Sequence, residues 1–298
     1  MAYEEMLARI SKEPGFIAAL DQSGGSTPGA LRQYGIADDA YSNDAEMFKL
    51  MHEMRVRIIT SKTFAQGKII GAILFEATMD GQAQGKSVPA FLWEDRKVVP
   101  FLKVDKGLTD EKDGVRLMKP IPGLDTLLAR AKKLGVFGTK MRSVIDSNSA
   151  SGIASIVQQQ FEYGDAIDAG GLMPILEPEV SIKAPDKAGA EKTLRAEIEK
   201  RLDALPGDRQ VMLKLTIPTV PDFYQPLIEH PRVVRVVALS GGYSRTEASE
   251  KLAENHGMIA SFSRALINDL RLQMSDDQFD AKLGEAVDEI YAASTQKR

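Results

Sequence analysis

Eight short apolar runs, rich in Val, Ile, Leu and Phe, recur along the chain: Phe16 to Leu20, Ile69 to Phe75, Val98 to Val104, Val136 to Met141, Leu172 to Val180, Val211 to Ile217, Val233 to Leu239 and Met258 to Phe262. Each has the length of a buried strand. Most are separated by segments with helical spacing. Met47, Leu50, Met51 and Met54 share one face, as do Ile153, Ile156 and Val157, and then Leu194, Ile198, Leu202 and Leu205. Ser244 with Glu247, and Ser275 with Gln278, have the spacing of a capping box, and Gly135 and Gly257 sit where helices should stop. Strands that alternate with helices imply a parallel sheet. Eight such units in about 250 residues is the size of a closed (β/α)8 barrel. An open doubly wound sheet is the other arrangement, but no GxGxxG turn follows any run and no GxxxxGK[ST] occurs. No linker or repeat divides the chain, so one domain over residues 1–298 is expected.

Composition narrows the function classes. With 38 basic and 42 acidic residues the net charge is -4, and no block of like charge marks a nucleic-acid or lipid surface. The absence of cysteine removes disulfides, thiol catalysis and cysteine-ligated zinc. The N-terminal stretch is acidic and amphipathic, unlike a secretory signal, and the longest apolar run, Ile69 to Phe75, falls far short of the ~20 residues that cross a bilayer. A cytoplasmic protein with neither nucleic-acid nor membrane partners is expected.

The informative pattern is where charge interrupts these runs. A buried parallel strand should be almost uniformly apolar, because an unpaired charge is costly to bury. Here the runs end in Asp21, Glu76, Lys103 and Asp105, Lys140 and Arg142, Glu177 and Glu179, and Lys214. In a barrel the carboxyl ends of the strands form the active face, so these groups should converge on one mouth. Alternation along a strand puts Met212, Lys214 and Thr216 on one side, with Val211, Leu213 and Leu215 on the other, and makes Glu177 and Glu179 face together across Pro178. A lysine among apolar neighbours and other cations is expected to have a lowered pKa, which favours the nucleophilic amine; Lys214 and Lys140 share that setting. A single lysine at a strand end is more often an ion-pair partner than a catalyst. Two lysines and two carboxylates on adjacent strands make a set suited to carbonyl chemistry.

Three turns are candidate anion sites. Ser240-Gly241-Gly242 ends the seventh run before a helix, and its backbone amides can cradle an anion. Ser261, Ser263 and Arg264 follow the eighth, and Asp21 to Thr27 follows the first with Ser23 and Ser26. Three such turns suggest a substrate with two phosphates. His52, His230 and His256 are scattered without ligand spacing, so no metal site is expected, and Trp93 and the Met stripe read as packing.

The segments GFIAALDQSGGST, PFLKVDKG, FGTKMR, PILEPEV, LKLTIP, LSGGYS and SFSRAL, in this order, resemble class I fructose-1,6-bisphosphate aldolase of the short bacterial type. The resemblance implies a (β/α)8 barrel in glycolysis and gluconeogenesis, a phosphorylated sugar as substrate, no cofactor beyond a covalent imine through Lys214, and a homo-oligomer, dimer or tetramer. By the same resemblance Glu177 is the general acid and base, supported by Glu179. Lys140 holds a substrate hydroxyl and assists imine formation, with Arg142 beside it, and Asp21 orients the reacting groups. Ser240, Gly241, Gly242, Ser261 and Arg264 match one phosphate site, while Ser23, Ser26 and Lys103 lie toward the other end of the sugar. Two features depart from the vertebrate-type pattern: Gly29-Ala30 stands where those enzymes carry Lys-Arg, with Arg32 the nearest cation, and the chain ends soon after Tyr291. Tagatose or sedoheptulose bisphosphate as substrate, and a non-catalytic barrel scaffold, are the alternatives.

Overall fold

The computed structural model describes residues 2–22 and 27–298. Eight parallel strands form the barrel: β1 (Phe16–Leu20), β2 (Ile69–Leu74), β3 (Val99–Lys103), β4 (Gly138–Ile145), β5 (Met173–Val180), β6 (Val211–Thr216), β7 (Val233–Leu239) and β8 (Ile259–Ala260). They neighbour one another in chain order, and the Ala19 amide donates to the Phe262 carbonyl at 3.2 Å across the seam between β1 and β8. Helices run between the strands on the outside; the connection from β6 to β7 holds only the short Gln225–Ile228.

Alternation divides the core in two. Ile17, Ala19, Ile73, Phe101, Ile175, Met212 and Val237 pack inside the barrel, whereas Phe16, Ala18, Leu20, Leu102, Leu213 and Leu215 pack outward under the helices. The N-terminal helix Ala2–Lys12 adds Met6 and Ile10 to the inner cluster. Phe101 and Phe137 meet edge to face at 5.5 Å inside it, an arrangement contributing about 0.5–1.5 kcal/mol beyond area burial.

The expected strands are all present, most of them trimmed by a residue or two, with larger changes in β4 and β8. β4 continues past its apolar run to Ile145, because Arg142 to Ile145 pair in parallel with Glu177 to Val180 of β5, and Val144 and Ile145 pair antiparallel with Arg116 and Val115. β8 shrinks to Ile259–Ala260, since only Val237 and Ala238 of β7 offer it a ladder.

The helical faces follow their spacing. Met47, Met51 and Met54 are buried on Asp44–Thr60, as are Ile153, Ile156 and Val157 on Ala150–Ala169, and Leu194, Ile198 and Leu202 on Lys187–Asp203. Ser275 and Gln278 complete a capping box at the start of Asp276–Thr295. Ser244 accepts from the Glu247 amide without the reciprocal bond. Gly135 and Gly257 both adopt positive φ, but Gly257 lies beyond the end of Arg245–Ala253, not at its cap. Among the described residues no helix is long and apolar enough to cross a membrane.

Candidate active site

The carboxyl ends of the strands surround a cavity of about 390 Å³. Its walls carry Asp21, Lys103, Asp105, Lys140, Arg142, Glu177, Glu179, Lys214, Ser240, Gly241, Ser261 and Arg264. Of the charged strand ends singled out in the sequence, only Glu76 points elsewhere: it begins the turn Glu76–Met79 and pairs with Lys106 and Arg130.

Three strands build its centre. The ladder between β5 and β6 consists of two residue pairs, Ile175 with Met212 and Leu176 with Leu213, and then opens. Beyond that point Thr216 Oγ1 donates to the Val180 carbonyl at 2.7 Å, so a side chain holds the strands while Glu177 and Lys214 project inward. Glu177 Oε1 lies 3.2 Å from Lys214 Nζ, and Oε2 lies 2.9 Å from Lys140 Nζ. Lys140 Nζ also stands 2.6 Å from Asp21 Oδ2. All four side chains are buried. Glu177 Oε2 is buried and makes no aligned hydrogen bond among the described residues despite its charged neighbour.

Opposite charge outweighs burial at Asp21 and at Lys140. Burial alone would raise the Asp21 carboxyl, but Lys140 and Lys214 hold it well below the usual carboxylate range. Burial alone would lower the Lys140 ammonium, but Asp21, Glu177 and Asp105 push it above the usual lysine range. The lowered pKa expected for Lys140 is therefore corrected: it is a fixed cation, because carboxylates from three other segments outweigh its desolvation.

A second layer lines the side toward β3 and β4. Asp105 takes Lys103 Nζ at 2.7 Å and the Arg142 amide at 3.2 Å. Arg142 Nε meets Glu179 Oε2 at 2.6 Å, so Glu179 serves Arg142 and makes no contact with the lysines that Glu177 bridges. Burial would lower the Arg142 guanidinium, yet Glu179 and Glu177 push it upward.

The opposite side is the anion-ready one. Gly241 has φ +59°, and a Cβ there would come within 2.7 Å of Ile182 Cγ2, so glycine is required by both conformation and space. Gly242 is not among the lining residues, and a Cβ on it would stand 3.5 Å from Arg264 Nη2. Ser261 Oγ is buried at the wall without a partner among the described residues. Each other lysine or arginine of the wall stands in an ion pair. Arg264 has no carboxylate of this kind among the described residues.

Ser23 and Ser26 lie outside the described residues. Arg32, the nearest cation to Gly29-Ala30, is exposed and bonded to Asp38 at 2.8 Å, away from the cavity. Gln22, Gly107, Leu108 and Ser263 also line the mouth. Gly107 and Leu108 were not legible as site residues because the segment that brings them in is an irregular excursion after β3. His230 and His256 pair with Asp203 and Asp222, and among the described residues no cluster of three potential metal ligands occurs.

A closed parallel barrel that gathers buried lysines and carboxylates at the carboxyl ends of its strands places this candidate site where barrel enzymes carry their active sites. The family model for class-I fructose-bisphosphate aldolase matches residues 8–201, and the chain belongs to that family. The match spans Asp21, Lys140 and Glu177; Lys214 and the glycine turn lie beyond it. A ternary co-crystal structure of fructose-bisphosphate aldolase from Plasmodium falciparum, in complex with TRAP and a small molecule inhibitor, has a similar fold, with a TM-score of 0.75 and 20% identity over 100% of this chain and 96% of that one.

Proposed function

We propose that this aldolase-family protein cleaves fructose 1,6-bisphosphate reversibly into dihydroxyacetone phosphate and glyceraldehyde 3-phosphate through an imine on Lys214. The observation that carries this reading is the single carboxylate of Glu177 bridging Lys214 and the fixed ammonium of Lys140.

Lys214 first passes a proton of its ammonium to Glu177 and, now neutral, attacks the C2 ketone, an N–H proton moving to the carbonyl oxygen to give a carbinolamine. Glu177, in contact with the amine, returns that proton to the C2 hydroxyl, which leaves as water. The resulting iminium is the electron sink. A base then takes the C4 hydroxyl proton, the C3–C4 bond breaks with its electron pair moving toward nitrogen, and the aldehyde leaves. Protonation of the enamine at C3 and addition of water release dihydroxyacetone phosphate and free Lys214. Lys140, held cationic by Asp21 and Glu177, donates to substrate hydroxyls and stabilises developing negative charge on oxygen. The amides of the Ser240-Gly241 turn, Ser261 Oγ and the Arg264 guanidinium take one phosphate; Lys103 and Arg142 face the other end of the sugar.

The test is product release from fructose, tagatose and sedoheptulose bisphosphates, each with and without EDTA. The highest kcat/KM is expected on fructose 1,6-bisphosphate, unaffected by EDTA. A better rate on either other sugar reassigns the substrate, and cleavage of none of them refutes the reading.

A further inference from the structure

Arg55 sits on Asp44–Thr60 within the buried stripe of Met47, Met51, Met54 and Ile58, and it is among the largest fully buried side chains. Its hydrogen bonds go to neutral groups. Nη1 donates to Thr78 Oγ1 at 2.8 Å and Nη2 donates to the Gln22 carbonyl, while Nε is buried without a partner among the described residues. The guanidinium carbon lies 5.9 Å from the centre of the Phe75 ring. Burial lowers its pKa to about 10, against the opposing field of Asp21.

A buried cation with such partners is a poor choice for stability, because an apolar side chain of similar volume often serves a core as well or better. Its placement suits another purpose. Gln22 directly follows Asp21, whose carboxylate stands 2.6 Å from Lys140. On the opposite side of the same turn, Gln22 Nε2 donates to Ser263 Oγ at 2.5 Å. The turn at the exit of β1 is thus suspended between Arg55, anchored on the exit of β2 through Thr78, and Ser263 at the exit of β8. Beyond these, Gln22 Nε2 also reaches the Ala19 carbonyl at 3.4 Å, and the neighbouring β8 is a two-residue strand.

We propose that Arg55 is a positioning residue for aldol cleavage: by holding the Gln22 carbonyl it fixes the Asp21 carboxylate against Lys140, and through Lys140 keeps Glu177 in place. This rests on the reaction proposed above. Arg55 does not line the cavity, so its loss alters the arrangement of the reacting groups and not the contacts that bind the sugar.

The experiment is steady-state cleavage of fructose 1,6-bisphosphate by the wild type and by Arg55→Met, Arg55→Lys and Thr78→Val, with the melting temperature of each. In Arg55→Met kcat falls by about 10²-fold with KM changed less than about threefold, because the displaced carboxylate acts on turnover. The melting temperature does not fall in proportion. Arg55→Lys, which keeps the charge but cannot span both acceptors, restores part of kcat. Thr78→Val, which frees one end of the fork, lowers kcat with KM unchanged; it and Arg55→Lys carry the test if Arg55→Met does not fold. A kcat within about threefold of wild type in Arg55→Met, or in Thr78→Val where Arg55→Met does not fold, overturns the proposal. So does a loss that tracks melting temperature with Lys no better than Met. A wild-type protein inactive on every ketose bisphosphate defeats the reaction itself, which is a separate outcome.

Discussion

Glu177 and Lys214 stand on neighbouring strands with Oε1 3.2 Å from Nζ, both nearly excluded from solvent. An amine and a carboxylate at this separation can pass a proton without moving their backbones. In the mechanism proposed above, water loss at C2 depends on Glu177, and removing its charge while keeping its shape tests that role.

Glu177→Gln should lower kcat by about 10²–10⁴-fold, the usual worth of a positioned acid or base. The amide still fills the space between Lys140 and Lys214, so the protein should fold. Steady-state kinetics beside a thermal melt checks this; a variant with near-wild-type kcat places the proton transfer on another residue.

Asp21 and Lys140 should give the protein a defined pH window. A carboxyl depressed in the fold contributes stability present above its unfolded value of about 3.9 and lost as the pH falls through its folded value. An ammonium raised in the fold contributes stability that is complete below about 10.4 and lost as the pH rises through its folded value. The contribution of the pair is therefore flat from about pH 5 to pH 9. Lys140→Met leaves two buried carboxylates without their shared cation and should cost about 3–5 kcal/mol at pH 7. That deficit should shrink as the carboxylates take up protons. Urea denaturation at neutral and mildly acidic pH measures it, and a deficit independent of pH contradicts the assignment.

Gly241→Ala should weaken phosphate binding more than it slows chemistry. The left-handed conformation costs a side-chain residue about 1–2 kcal/mol, and the contact with Ile182 forces the turn to shift. KM for the bisphosphate and the inhibition constant of inorganic phosphate should both rise about tenfold, with kcat changed far less. Unchanged inhibition by phosphate would place the anion elsewhere.

Much of this arrangement was legible in the residue order because it depends on local periodicity. Alternation in VMLKLT turns Lys214 inward with Met212, and charge at the ends of successive runs marks the mouth. What stayed hidden depends on partners far apart in the chain. The direction of the Lys140 shift needed Asp21, Glu177 and Asp105, each on a different segment. Glu179 faces the mouth as alternation required, but its partner is Arg142 on β4. Arg55 is hidden in the sequence because a charge in a helix reads as solvent-facing. Its position four residues after Met51, inside the buried stripe, was the signal that could have found it.

Reduction with borohydride in the presence of dihydroxyacetone phosphate, followed by peptide mass mapping, tests the central claim most directly. Imine chemistry at Lys214 predicts irreversible inactivation with one reduced adduct, on the peptide that contains Lys214, and no adduct in Lys214→Met. An adduct on Lys140 or any other lysine, or full activity after reduction, would contradict it.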